Sequence, residues 1–186
     1  MNVREMTLAA LFAALLAVSS QFSITLGAVP HTLQVFVVIL AGLVLGARLG
    51  AISVALWIVI GCFGLPVFSQ GKAGAAVLLG PTGGFLIGFV VCAYLVGRYA
   101  QGREITSFGS AIAILTGVGA VYILGWAGFM ASFEFFLHKP MTWEKAASLV
   151  ILPFLPFDLV KAVMASYLGM RVRQSLLKAG LTVANK

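Results

Sequence analysis

Charged residues are spaced so far apart in this chain that they dictate what can lie between them. No Asp, Glu, Lys or Arg falls between Glu5 and Arg48, which leaves positions 6–47 as an uncharged stretch of 42 residues. A helix that crosses the hydrocarbon layer of a bilayer needs about 20 apolar residues, so this stretch holds two. The break between them is predicted near Gly27-Ala28-Val29-Pro30, because proline lacks an amide and glycine relaxes the backbone. Further stretches follow at 49–71, 73–97 and 105–133, and a last one at 146–170 is interrupted by Asp158 and Lys161. The expected fold is an all-α polytopic membrane bundle, one integral domain over residues 1–186. Its six spans fall near 6–26, 33–47, 50–66, 82–97, 108–130 and 150–173.

Composition excludes the alternatives. Charged residues are 9% of the chain, hydrophobic ones 61%, and the mean hydropathy is +1.09. A soluble surface needs roughly a quarter to a third charge, so a soluble enzyme, a disordered chain and a nucleic-acid binder are all excluded. A transmembrane β-barrel would alternate apolar with polar residues, whereas these runs are continuous. The first segment carries Arg4 and an apolar run like a secretory leader, but Glu5 spoils the basic start and the run continues to Leu26, so it reads as a span.

An even number of spans puts both termini on one side. Arg4, Arg48, Arg98, Arg103, Arg171, Arg173, Lys178 and Lys186 share that side, against Lys72, Lys139 and Lys145 on the other. Basic residues concentrate in cytoplasmic loops, so both termini are expected in the cytoplasm. The net charge of +7 is then mainly a topology signal.

Asp158 and Lys161 are the sharpest chemical feature. Their i, i+3 spacing puts them on one helix face. Lys161 precedes Arg171 by ten residues, about 15 Å of helix, which places it near mid-depth if Arg171 marks the inner border. Ionisable groups at that depth cost at least ~2.5–3.5 kcal/mol and default to a functional reading; a mutually neutralised structural bridge is the alternative. The pair offers a cation to an anionic group and an acceptor to N–H donors. The string Leu79-Gly80-Pro81-Thr82-Gly83-Gly84 opens the fourth span, with proline near the first helical position. That helix start could attract an anion, or its glycines could serve close packing. Residues 66–78 are glycine-rich and too apolar for an exposed loop, and read as a lid over an outer cavity. Lys72 there is a second candidate cation or a solvated topology residue. Thr32 and Gln34 could bond a ligand or merely cap the second span. Tyr122 and Trp126 could pack on a ligand ring or anchor at the interface.

Ala9, Ala13 and Ala17 recur at four-residue steps on the first span, a smooth face for the bundle or for another subunit. Cys62 and Cys92 lie in separate spans and read as small buried apolar residues. His31 and His138 have no companions at metal spacing. No nucleotide loop, nucleophile triad or cofactor motif is expected, so such a chain cannot by itself couple ATP to transport.

Four segments carry a resemblance: Val29-Pro30-His31-Thr32-Leu33-Gln34, Gly61-Cys62-Phe63-Gly64-Leu65-Pro66-Val67-Phe68, Leu79-Gly80-Pro81-Thr82-Gly83-Gly84-Phe85-Leu86-Ile87-Gly88-Phe89, and Pro156-Phe157-Asp158-Leu159-Val160-Lys161. With these the sequence resembles the BioY family, biotin-specific S components of energy-coupling factor (ECF) transporters, over nearly all of residues 5–175. It departs from the family pattern at Ser69-Gln70-Gly71-Lys72-Ala73-Gly74, where members are denser in glycine. The resemblance implies the six-helix S-component bundle, biotin as transported ligand, no cofactor, and no enzymatic activity. It also implies partners: a transmembrane T component docked through Ala9, Ala13 and Ala17, and two cytoplasmic ATPases. Biotin also suits the chemistry read from the residues, and the candidate site comprises Asp158, Lys161, Gly80, Pro81, Thr82, Gly83, Gln34, Thr32, Lys72 and Tyr122. In it Lys161 meets the carboxylate or the ureido carbonyl, and Asp158 accepts from ureido N–H. A carrier that works without ATPases is the alternative; a membrane enzyme using Asp158 and Lys161 as acid and base lacks a nucleophile.

Overall fold

The computed structural model describes residues 1–25, 29–100 and 107–179. Helix α1 spans Val3–Gln21 and begins on a capping box: the Asn2 side chain accepts from the Glu5 amide at 2.9 Å, and the Asn2 amide donates to Glu5 Oε2 at 3.0 Å. These two bonds satisfy donors that a helix start otherwise leaves open. The chain then forms a short antiparallel hairpin, β1 (Ser23–Thr25) on β2 (Pro30–Thr32), with Ile24 opposite His31. Sequence reading expected only a break here; Gly27 and Ala28 of that expected break, together with Arg103 and Lys186, lie outside the described residues.

Helix α2 (Gln34–Leu45) turns directly into α3 (Ala47–Cys62) at Gly46, whose φ of 81° favours glycine. After a looping segment come the single-turn α4 (Ala76–Leu79), α5 (Gly83–Ala100) and α6 (Ser107–Ala131). Among the described elements, the α5–α6 contact is the most extensive. Its closeness depends on Gly84 and Gly128: a Cβ on Gly84 would fall on the Leu124 carbonyl, and one on Gly128 would lie 2.5 Å from the Gly84 Cα.

A π-helical turn over Ser132–Phe136 ends α6, and α7 (Trp143–Val150) starts on Thr142, whose hydroxyl accepts from the Lys145 amide at 3.3 Å. Residues 151–154 turn, and α8 (Leu155–Lys178) follows at 47° to α7. The final apolar stretch is therefore a bent pair of helices. Pro156 causes no loss inside α8, because first-turn amides lack intrahelical partners in any case. Helix α8 lays Ala162 and Ala165, both buried, toward α2, and Arg173 Nη1 reaches the Leu43 carbonyl at 3.4 Å.

Among the described residues, three helices are each long and apolar enough to cross a membrane: Val3–Gln21, Gly83–Ala100 and Ala111–Phe136. The bent α7–α8 pair qualifies as a fourth when taken together, and α2 and α3 are shorter apolar helices. Between β2, α2, α5, α6 and the start of α8 lies a region where polar side chains turn inward, and this is where the site forms.

Candidate functional site

The site is a chain of hydrogen bonds joining four elements. Asp158 sits in the first turn of α8 and is 4% exposed. A buried carboxylate is tolerated only when it is bonded and paired. Here Tyr122 of α6 donates its hydroxyl to Oδ2 at 2.7 Å, and Lys161 donates to Oδ1 at 2.8 Å. The positive end of the α8 dipole adds to this. Lys161 Nζ also donates to the Thr32 carbonyl of β2 at 2.7 Å. The Thr32 hydroxyl in turn donates to Gln34 Oε1 at 2.6 Å. Acid and base thus neutralise each other, and both remain within reach of a cavity.

The empty space in that cavity is about 600 Å³, within the ordinary range of small-molecule sites. Phe68, Phe85, Phe89 and Phe154 form its apolar walls, while Thr32, Gln34, Ser69, Thr82, Tyr122, Asp158 and Lys161 supply polar atoms. An aromatic box with a few convergent polar groups is the ordinary form of a small-molecule site.

The structure places the candidate residues unevenly. Thr32, Gln34, Thr82, Tyr122, Asp158 and Lys161 line the one cavity. Gly80, Pro81 and Gly83 stand behind Thr82 without lining it; a Cβ on Gly83 would collide with the Leu78 carbonyl, so this glycine serves packing. Nor is the α5 start an open anion cradle, since the Phe85 and Leu86 amides already donate to the Thr82 carbonyl at 3.1 and 3.3 Å and Gly83 donates to Gly80. Lys72 is exposed and outside the cavity. Trp126 bonds the Trp143 carbonyl at 3.2 Å and meets that ring edge-on.

The alanine face needs a correction. Ala9 and Ala13 are 2% and 3% exposed, turned inward where α1 packs on α3 and α2, and Ala17 is half-buried. Methyl groups already enclosed by the chain's own helices cannot also meet another subunit. The small residues on the open side of α1 are Ala10 and Ala14, one position along.

Sequence reading missed the walls. Phe68 fits a notch at Gly61, where an added Cβ would overlap its ring, and packs edge-on to Trp57 at 5.4 Å. The backbone around it is pinned: the Val67 carbonyl accepts from Ser20 Oγ at 2.7 Å and Trp57 Nε1 at 2.9 Å, and the Phe68 carbonyl from Gln21 Nε2 at 3.1 Å. This part of the expected lid is a fixed wall. His31 was also missed. It is buried, stacks on Phe154 at 3.7 Å, and its Nε2 donates to the Pro153 carbonyl at 3.1 Å, tying β2 to the bend before α8. The Gly61-to-Phe68 spacing carried a signal for the notch; nothing local in the sequence paired His31 with residues more than a hundred positions away.

A BioY family profile matches residues 1–178. The chain belongs to the BioY family. It is 40% identical over 172 residues to a biotin transporter BioY of Thermotoga maritima, covering 92% of this chain and 97% of that one. It is also 40% identical to a probable biotin transporter BioY of Pyrococcus horikoshii, over 93% of this chain and 98% of the relative. Among solved structures it is similar to the S component for biotin from an ECF-type ABC transporter, with a TM-score of 0.79, 29% identity and 92% coverage of both chains. The BioY relatives are transporters, and the fold is that of a transporter subunit rather than an enzyme. The four segments singled out in sequence all contribute to the cavity or its immediate support.

Proposed function

We propose that this BioY-family chain binds biotin and takes it up across the membrane as the substrate-binding subunit of an ECF-type transporter. The observation that carries the reading is the Tyr122–Asp158–Lys161–Thr32 chain at the edge of an aromatic-walled cavity. Biotin matches it: a ureido ring with N–H donors and a carbonyl, an apolar body, and a carboxylate. In our reading Asp158 accepts from ureido N–H, Tyr122 holds Asp158 in place, Lys161 supplies the cation, and Thr32, Gln34 and Thr82 complete the polar rim. Gly80, Pro81 and Gly83 shape the backbone beneath Thr82, and Lys72 is assigned to topology.

The finer architecture belongs to the same reading. Six crossings with both termini in the cytoplasm of a cell-membrane protein follow the basic-residue asymmetry. A transmembrane T component and two cytoplasmic ATPases would supply the energy this chain has no motif to harvest. Contact with the T component is assigned to the open side of α1, around Ala10 and Ala14.

The test is direct titration of biotin into the purified chain in detergent, alongside desthiobiotin and a biotin amide. A buried charge-assisted hydrogen bond contributes ~1.5–3 kcal/mol. Lys161→Met should therefore weaken biotin binding at least about tenfold. Unchanged affinity would remove Lys161 from the site.

A further inference from the structure

Lys161 finds one of its acceptors on a backbone carbonyl, that of Thr32, so the position of strand β2 decides where this ammonium sits. The strand does not fix its own position. β1 and β2 are three residues each, and a two-stranded hairpin is marginal by itself. The residue before Thr32 supplies the missing tether. The His31 ring is buried and lies flat on Phe154, with 3.7 Å between ring centres and 6° between planes, and Phe157 meets it edge-on at 5.7 Å. Its Nε2 is 3.1 Å from the Pro153 carbonyl. A carbonyl only accepts, so Nε2 carries the ring hydrogen. Nδ1 is buried with no hydrogen-bond partner among the described residues.

Ring and bond serve different ends. Stacking is apolar packing that another planar ring can reproduce. It braces Phe154, whose carbonyl accepts from the Asp158 amide at 2.9 Å. The N–H···O bond is directional, and it joins β2 to the turn that precedes α8. Side chains of successive strand residues point to opposite faces. The Thr32 hydroxyl accordingly meets Gln34 while His31 reaches the bend. Thr32 lines the cavity and His31 does not, so the histidine acts on that cavity through its neighbour.

We propose that His31 is a positioning residue for ligand binding: its Nε2–H bond to the Pro153 carbonyl sets the register of β2 against α8, and with it the Thr32 carbonyl that holds Lys161. The inference rests on the biotin reading of the site and adds to it a residue outside the cavity.

Two substitutions separate bond from ring. His31→Phe keeps a ring for the stack and removes the donor. Biotin affinity should fall about fivefold, the value of one neutral hydrogen bond, while the detergent melting temperature holds. His31→Gln gives up the ring, but its amide nitrogen donates at about the reach of Nε2. Here the melting temperature should fall while affinity stays within about twofold. Affinity kept in the Phe variant, or weakened equally in both, would make His31 a packing residue and overturn the proposal. In a Lys161→Met background, His31→Phe should cost no further affinity; losses that multiply would mean that His31 does not act through Lys161.

Two measurements on the ligand-free chain stand apart from biotin. His138 is the other histidine and is exposed; at its positive φ asparagine is tolerated, so His138→Asn leaves His31 as the single imidazole without disturbing the site. Its nitrogen resonances should show hydrogen on Nε2 and a bare Nδ1, and hydrogen on Nδ1 alone would overturn the proposal even if the His31 variants fail to fold. An unaltered chain that binds no biotin would strike the biotin reading instead. Deuterium exchange then decides on His31: residues 29–33 should exchange faster in His31→Phe than in His31→Gln, and equal exchange would overturn the tether.

Discussion

Asp158 accepts from two donors at once, and that arrangement sets what each neighbour is for. Lys161 neutralises it, while Tyr122 fixes the direction of its second oxygen. Tyr122→Phe removes a hydrogen bond to a charged group, about 1.5 kcal/mol at the low end. Biotin affinity measured by calorimetry should drop roughly tenfold; full retention would make Tyr122 a bystander. At this scale much was legible in advance. Asp158 and Lys161 stand out because charge inside an apolar run is expensive and therefore conspicuous. Tyr122 was one of two aromatic candidates on its helix, and spacing could not separate it from Trp126, which bonds the Trp143 carbonyl instead. Lys72 was equally conspicuous in sequence but stands exposed, because a loop lysine has water close by and no need of a partner.

At the scale of elements, helix positions were readable from charge gaps, and the irregular pieces were not. Strands of three residues carry no periodicity to detect, so the hairpin after α1 was invisible beforehand. The break between α7 and α8 leaves no charge gap, since residues 151–154 are as apolar as their flanks; Pro153 in the turn and Pro156 in the first turn of α8 are the signals that mark it. The segment after α3 was expected to cover the site, and its Phe68 end does form a wall. What makes it a wall is the meeting of Phe68 with Gly61 and Trp57, a fit between side-chain shapes that sequence spacing only hints at. Phe68→Ala would empty that notch. Burying no ring there costs about 3–5 kcal/mol by analogy with other Phe-to-Ala changes in packed interiors. A large fall in the detergent melting temperature, together with faster proteolysis of residues 66–79, is the expected result; an unchanged melting temperature would mean that the segment is not anchored through this ring.

For the whole molecule, the decisive surface is the one α1 leaves open. Four-residue spacing revealed an alanine stripe but not which side of the helix faced inward, since Ala9 and Ala10 differ by only one position on a helix that is apolar all round. The burial of Ala9 and Ala13 settles the inward side. Ala14→Trp, projecting from the open side, is predicted to abolish co-purification with a T component while biotin binding by the isolated subunit stays within about twofold. Ala13→Trp should instead destabilise the isolated chain, because overpacking a close helix contact typically costs 1–3 kcal/mol or more. If Ala14→Trp leaves the assembly intact, the partner sits elsewhere on the bundle.

The mutual quenching of Asp158 and Lys161 has an electrical corollary. The empty site carries no net charge of its own, because the one cation and the one carboxylate there are paired. The voltage-sensing passenger is then the vitamin's own anion, and bringing it into a cell held negative inside is opposed by about 2.3 kcal/mol per 100 mV. In vesicles reconstituted with the proposed transporter, depolarisation should accelerate biotin uptake, and a rate indifferent to voltage would mean that the carboxylate crosses none of the field.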